Sequence, residues 1–394
     1  MISVTEATRI IQQVAAPHTI ISVPLAEAVN RVLAEPVLAD RDLPPYNRVA
    51  MDGIAIRSTS FGTHKSFKIE GIQAAGAAGK VLSDECHCLE VMTGAVLPGG
   101  TDAVIRYEDV EINEGIAKIQ LESVFAGMNI HHQGNDARQN EVLLAAGQLI
   151  SPAEIALLAS VGKAEVKVYD FPRTAIISSG DELVEVDATP LAHQIRRSNA
   201  YALQAAMREL GWQASAFHLN DTREDVLHEL QLLMQDYDVL ILSGGVSKGK
   251  FDFIPDALKE LGVTKHFHQV SQRPGKPFWF GTSENKVVFA LPGNPVSTFL
   301  CFYRYIKPWI RNNMGVKSIE QTAILTSAIE FKPALTYFLQ VRAVHDQGKF
   351  IAVPVPGGGS GDFANLKEVN GFLELPADRS SFDAGEVFPF IPFR

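Results

Sequence analysis

The spacing of apolar side chains along the chain shifts from helical to alternating and back, and each shift marks an element. In residues 4–17, Ala7, Ile10, Ile11 and Val14 fall on one helical face, with Pro17 as the expected stop. Residues 20–37 open with Val23-Pro24-Leu25 and continue through Val29, Val32 and Leu33. That spacing predicts a short strand, then a helix leading to the turn-rich Asp42-Leu43-Pro44-Pro45-Tyr46. Between Tyr46 and about Asn140 the apolar runs become short and alternating, as in Phe67-Lys68-Ile69-Glu70 and Ala117-Lys118-Ile119-Gln120, with Gly and Pro turns between them. A small β-rich domain follows from that pattern. Ser151-Pro152-Ala153-Glu154 then opens a helix, with Ser151 as cap, Pro152 in the first turn and Ile155 to Val161 as the apolar face.

From Arg173 the rhythm is strand, helix, strand. Thr174-Ala175-Ile176-Ile177 and Asp238-Val239-Leu240-Ile241-Leu242 are near-continuous apolar runs, separated by helical patterns at 198–210 and 224–235. A helix at 253–261 closed by Gly262, strands at 266–270 and 286–291 and a long helix at 295–314 follow. Strands of this kind between helices predict an α/β domain with a doubly wound, mainly parallel sheet. After Gly315 short runs return, among them Phe338-Leu339-Gln340-Val341 and Phe350-Ile351-Ala352-Val353, and predict a second small β domain. A chain of 394 residues exceeds what one core organises, so several domains are expected.

Composition narrows the choice of ligand. With 46% hydrophobic and 20% charged residues the chain is globular in character. Its 45 acidic and 35 basic side chains give a net charge of -10, which disfavours a broad nucleic-acid surface, so any anion must be held by a local pocket. No run of about 18 apolar residues is present to span a membrane, and the start carries no secretory pattern. The three cysteines, Cys86, Cys88 and Cys301, form neither a disulfide framework nor a zinc pattern and read as small semi-buried hydrophobes. A soluble protein of a reducing, cytoplasmic compartment is expected.

Ligands of open parallel sheets bind beyond the carboxyl ends of the strands. The unusual motifs of residues 173–300 fall there: Ser178-Ser179-Gly180-Asp181-Glu182, Ser243-Gly244-Gly245-Val246-Ser247-Lys248-Gly249, Arg273-Pro274-Gly275-Lys276-Pro277 and Leu291-Pro292-Gly293-Asn294-Pro295. Any one glycine loop alone reads as an ordinary tight turn. Together they suggest a phosphate cradle, with backbone N–H groups in the Ser-Gly-Gly turn and positive charge from Arg273 and Lys276. Asp181, Glu182, Asp221 and Asp252 gather at the same edge, and carboxylates beside phosphate suit Mg2+. Asp221 serves equally well as a helix cap. His131-His132 reads as a solvated loop, and Trp212, Trp279 and Trp309 as packing aromatics.

The same motifs resemble the MoeA family, which also contains the E domain of gephyrin. Pro44-Pro45-Tyr46-Asn47-Arg48-Val49-Ala50-Met51-Asp52-Gly53 resembles its signature, and Met92-Thr93-Gly94-Ala95-Val96-Leu97-Pro98 its second block. The segment from Gly127-Met128-Asn129-Ile130 to Gly134-Asn135-Asp136 and the four sheet-edge motifs continue in the family's order, covering about 26–316. The resemblance implies an elongated four-domain subunit, with an elongated linking domain and a C-terminal β-barrel-like domain, that forms a homodimer. It divides the chain into an N-terminal helix at 1–20, a linking domain at 21–43 and 139–170, a β-rich insert at 44–138, a central α/β domain at 171–317 and a C-terminal β domain at 318–394. It implies molybdopterin molybdenumtransferase activity: adenylylated molybdopterin and molybdate enter, Mg2+ assists, and molybdenum cofactor and AMP leave. Molybdopterin adenylyltransferase and molybdoenzyme maturation proteins are the implied partners.

By the same resemblance Glu182, Asp52, Asp252 and Lys276 carry catalysis, and Glu182 and Asp252 hold metal, with Asp181 added from the carboxylates grouped at the sheet edge. Thr93, Asp136, Asp221, Ser243, Gly244, Gly245, Ser247, Arg273, Pro292, Pro295 and Ser360 bind substrate, with the insert of one subunit facing the central domain of the other. Several positions depart from the family pattern: Asn47 and Asn135 stand where acids are usual, Val49 for serine, His131 for arginine, Lys248 for an apolar residue and Arg197 for aspartate. Histidine at 131 exchanges a permanent cation for a titratable ring. A divergent, non-catalytic molybdopterin-binding or scaffolding homologue is the alternative, and a nucleotide pyrophosphatase using the central domain alone a third reading.

Overall fold

A computed structural model describes residues 1–246, 252–316, 320–355 and 357–394; Ser247 and Lys248 lie outside it. The central sheet has six strands in the order Ala214–Leu219, Thr174–Ser179, Val239–Ser243, Lys286–Leu291, Pro277–Ser283 and Thr264–Gln269. The first four run parallel, and Pro277–Ser283 is antiparallel to both of its neighbours. Alternation along each strand sends side chains to opposite faces. Ile176, Ile241 and Phe289 enter one core, while Ile177, Leu242 and Val288 enter the other.

Helices cover both faces, as the continuous apolar strands require. On one side lie Ser198–Glu209 and the run beginning at Pro295–Cys301; on the other lie Arg223–Asp236 and Ile254–Glu260. The first helix, Val4–Gln12, also packs on the former core through Val4, Ala7 and Ile11. It ends at Gln12, before the expected stop at Pro17, because the chain then binds Asn313 and Trp309: Asn313 Oδ1 accepts from Ala16 N at 2.6 Å and Val14 O from Trp309 Nε1 at 2.8 Å.

The helix expected within 20–37 does not form. Ile20–Pro24 is a strand paired antiparallel with Glu165–Tyr169, and only the single 3-10 turn Leu25–Glu27 follows. Asn30 at φ 65° turns the chain there, and Val23, Leu33 and Val37 meet Leu144, Leu158 and Val166 in a separate small core. The insert is a six-stranded mixed sheet, with a side ribbon of Arg48–Val49 and Ile130–His131.

At the C-terminus, Thr336–Asp346, Lys349–Pro354, Gln321–Leu325, Val387–Pro392 and Gly371–Leu375 close into a five-stranded barrel, because Thr336–Asp346 also pairs with Gly371–Leu375. The two-residue strand Gln272–Arg273 joins its edge beside Thr336 and Tyr337. The central region is thereby stitched to the barrel through its basic loop.

The long helix expected at 295–314 is present, with a π-turn at Phe302–Ile306 between Pro295–Cys301 and Lys307–Asn313. Within that turn Tyr305 donates its hydroxyl proton to Gln272 Oε1, and Gln272 Nε2 donates to Gly275 O at 3.1 Å. Such turns concentrate near functional sites, and this one braces the loop that carries Arg273 and Lys276. Trp212, Trp279 and Trp309 are buried, as are Cys88 and Cys301, while Cys86 is exposed.

Candidate active site

The sheet-edge loops converge on two adjoining pockets. The smaller, about 370 Å³, is lined by Ser178, Ser179, Glu182, Asp221, Ser243, Gly244, Gly245 and Asp252, together with Arg196, Arg197 and Asn199. The larger, about 1020 Å³, lies between the central region and the barrel. Arg273, Lys276, Phe331, Tyr337, Gln340 and Ser360 line it. Pro277, Pro292, Gly293 and Asn294 border both, so the motif at 291–295 forms the ridge between them.

The floor of the smaller pocket follows from strand register. Ser178 sits opposite Ser243 on parallel strands, so both serines reach the same edge, and both are buried. Gly244 then turns the chain at φ +96°, where a Cβ would lie 2.6 Å from Ser179 O, so only glycine fits without moving backbone. Asn199 Nδ2 ties these parts together, donating to Ser243 Oγ at 2.8 Å, Gly293 O at 2.8 Å and Thr298 Oγ1 at 3.3 Å. Sequence reading missed Asn199, although its place at the start of a helix after two arginines was a usable signal.

The carboxylates divide by role. Glu182 and Asp252 line the pocket, whereas Asp181 does not: its Oδ1 accepts from Asp221 N at 3.0 Å. Asp221 in turn accepts from Ser179 Oγ at 2.7 Å and from Asp181 N at 3.4 Å. Asp181, expected among the metal ligands, is thus placed outside the pocket lining, in a reciprocal brace between two loops. Asp221 is no cap either, because Thr222 is the N-cap of Arg223–Asp236 and its Oγ1 accepts from Asp225 N. Among the described residues no three metal-type side chains converge by themselves. Mg2+ binds through one or two carboxylates plus waters and phosphate oxygens, and the pair Glu182 and Asp252 fits that donor set.

Positive charge is also divided. Arg273 and Lys276, expected beside the Ser-Gly-Gly loop, line the neighbouring pocket instead, because strand pairing draws their loop toward the barrel. The arginines of the smaller pocket are Arg196 and Arg197, with the uncapped N-terminus of Ser198–Glu209, a place that favours anions. Arg197 is ion-paired with Glu185, and its Nε has no partner among the described residues. Nearby His218 has its pKa lowered, first by burial and then by the charge of Arg197.

The ridge is fixed from both sides. Pro292 O accepts from Thr298 Oγ1, and Pro295 begins its helix with Asn294 as N-cap. Asn294 caps nothing with its side chain; Nδ2 donates instead to Ser360 Oγ at 2.7 Å. Across the larger pocket Phe331 and Tyr337 stack, centroids 4.2 Å apart, with the Arg273 guanidinium 6.0 Å from the Phe331 centroid. This aromatic wall left no motif in the sequence, since it depends on barrel closure.

Asp52, Thr93 and Asp136 line neither pocket. On the insert, Asp52 Oδ1 accepts from Thr93 N at 2.6 Å and from Thr93 Oγ1 at 2.8 Å, and these bonds hold its carboxyl below the usual range. Asp136 meets His131, whose expected solvated-loop role is replaced by a place on the ribbon strand Ile130–His131.

A serine- and glycine-lined edge of a wound sheet, with carboxylates, an arginine pair and an uncapped helix N-terminus around it, is the arrangement of a domain that binds an anionic ligand. Residues 175–312 match the family model "Probable molybdopterin binding domain". The flanking segments match "MoeA N-terminal region (domain I and II)" over 2–162 and "MoeA C-terminal region (domain IV)" over 322–393. The chain is 42% identical to a Synechocystis protein named molybdopterin molybdenumtransferase, over 99% of each chain. It is 32% identical to one of the same name from Haemophilus influenzae, over 94% of this chain and 93% of the other. The crystal structure of a molybdopterin biosynthesis moeA protein from Pyrococcus horikoshii OT3 superposes over the whole of both chains with a TM-score of 0.86 at 26% identity. The chain belongs to the MoeA family.

Proposed function

We propose that the protein inserts molybdenum from molybdate into adenylylated molybdopterin, with Mg2+-dependent cleavage of the pterin phosphate–AMP bond and release of AMP. The observation that carries this reading is the pair of pockets sharing one ridge, with Glu182 and Asp252 on one side and Arg273 and Lys276 on the other. Such a division suits a substrate whose phosphoanhydride lies near a cation while an oxyanion waits beside it.

In this reading Ser243, Gly244 and Gly245 cradle phosphate, and Asp221 keeps the loop bearing Glu182 in place. Glu182 and Asp252 would hold Mg2+, which supplies charge neutralisation at the phosphoanhydride. Arg273 and Lys276 hold molybdate or phosphate, with Pro292, Pro295 and Ser360 shaping the walls. Asp52, Thr93 and Asp136 come from the insert of a second copy, so the working unit is a homodimer. The domain boundaries are those the resemblance implies: 1–20, 21–43 with 139–170, 44–138, 171–317 and 318–394. The protein works in the cytoplasm, fed by molybdopterin adenylyltransferase and delivering to molybdoenzyme maturation proteins. No helix among the described residues is long and apolar enough to cross a membrane.

The test is incubation of the purified protein with adenylylated molybdopterin, Mg2+ and molybdate. Molybdate-dependent release of AMP is expected. Binding without turnover overturns the reading in favour of a molybdopterin-binding scaffold.

A further inference from the structure

Away from both pockets, the insert carries three side chains joined end to end. Arg48 NH2 lies 2.8 Å from His131 Nδ1, and His131 Nε2 lies 2.8 Å from Asp136 Oδ1. The first contact is a cross-strand pair, since His131 stands opposite Arg48 in the two-residue ribbon. The imidazole is mostly shielded, with 26% of its side chain exposed, while Asp136 at 55% faces outward. The order of the chain therefore runs from a half-buried cation to an exposed carboxylate.

Chemistry fixes where the proton sits. A guanidinium has only donors, so Nδ1 must accept and carries no hydrogen. The single proton of the neutral ring is then on Nε2, aimed at Asp136. Protonating Nδ1 would set two donors against each other and break the contact with Arg48. Through this arrangement one oxygen of Asp136 is pinned, which sets the direction of the other.

We infer that Arg48 and His131 are positioning residues for Asp136: the guanidinium fixes the imidazole tautomer, and the imidazole orients the carboxylate toward a hydrogen-bond donor of the pterin nucleotide. Position 131 thus acts through Asp136, and the permanent cation in contact with it is Arg48, one strand across. The inference rests on the reading that Asp136 contacts substrate in the dimer.

The test uses the full-length protein with His131→Ala, His131→Gln and Arg48→Ala. Glutamine keeps an acceptor and a donor at comparable reach, so it can replace the ring. In AMP release, His131→Ala and Arg48→Ala raise the KM for adenylylated molybdopterin about tenfold, the scale of one hydrogen bond to a charged group, with little change in kcat. Tm stays unchanged, and His131→Gln returns KM to near the wild-type value. Nitrogen-15 NMR of histidine-labelled protein, assigned by loss of the signal in His131→Gln, shows the Nε2–H tautomer at neutral pH. A wild-type KM in His131→Ala, a glutamine variant as weak as alanine, or an Nδ1–H or charged ring overturns the inference. Failure of the wild type to release AMP overturns the proposed function instead, while the NMR tautomer still decides the relay.

Discussion

The Glu182 carboxylate folds back over Gly180 so closely that a Cβ on Gly180 would lie 2.6 Å from one carboxylate oxygen and 2.8 Å from the other. Gly180 also stands at φ +142°, which L side chains rarely adopt. Gly180→Ala should therefore displace Glu182 and lower turnover at least about tenfold, with a stability loss of more than about 1 kcal/mol from the backbone conflict. Kinetics of AMP release beside urea unfolding measures both; wild-type turnover would show that the carboxylate works from another position.

Glu182 is exposed at the pocket rim and contributes little to packing. Glu182→Gln keeps its shape and removes its charge. Turnover should fall by about a hundredfold or more while stability stays within about 0.5 kcal/mol of wild type. Unchanged activity removes Glu182 from the site.

For Lys276→Ala the expected loss is in oxyanion binding. Lys276 is exposed toward the larger pocket, near Arg273, so its removal leaves Arg273 as the cation among the described lining residues and should weaken molybdate about tenfold, more at low salt. Isothermal titration at two ionic strengths checks this. Wild-type affinity would count against an oxyanion role for the loop.

His218 gives the fold a pH dependence of known sign. Its folded pKa is lowered from 6.5, first by burial and then by Arg197, so the unfolded chain takes up this proton first as pH falls. Its contribution to stability is present above the free-imidazole value and is lost as pH falls through the folded one. Urea unfolding from about pH 7.5 to about 5 should show a decline that flattens in His218→Gln. Equal slopes in the two proteins would remove His218 as its source.

The central domain was legible because its strands are buried on both faces, so Ile176, Ile241 and Phe289 stand in continuous apolar runs. Pro277–Ser283 escaped notice because its start overlaps the Arg273-Pro274-Gly275-Lys276-Pro277 turn and its direction is antiparallel. The helix expected within 20–37 had suitable apolar spacing, but Asn30 at φ 65° and the long-range backbone bonds of Leu25 N to Ala164 O and Leu33 N to Gln148 O overrode it. In the site, loop positions were readable and loop partners were not. Nothing in Asp181 or Asp221 alone reveals that each binds the other's backbone. The place of Arg273 and Lys276 in the larger pocket likewise depends on Arg273 joining a barrel strand that begins at Thr336.

The ridge at 291–295 has a mechanical corollary. Among the described residues, the smaller chamber is lined by residues 178–295, whereas the larger one takes a whole side from residues 328–360. The Asn294–Ser360 bond and the Arg273–Tyr337 strand pair act as latches between these blocks. A tilt of the barrel would therefore pull on the ridge that both compartments share, so a change in the wide chamber is transmitted to the narrow one through Asn294.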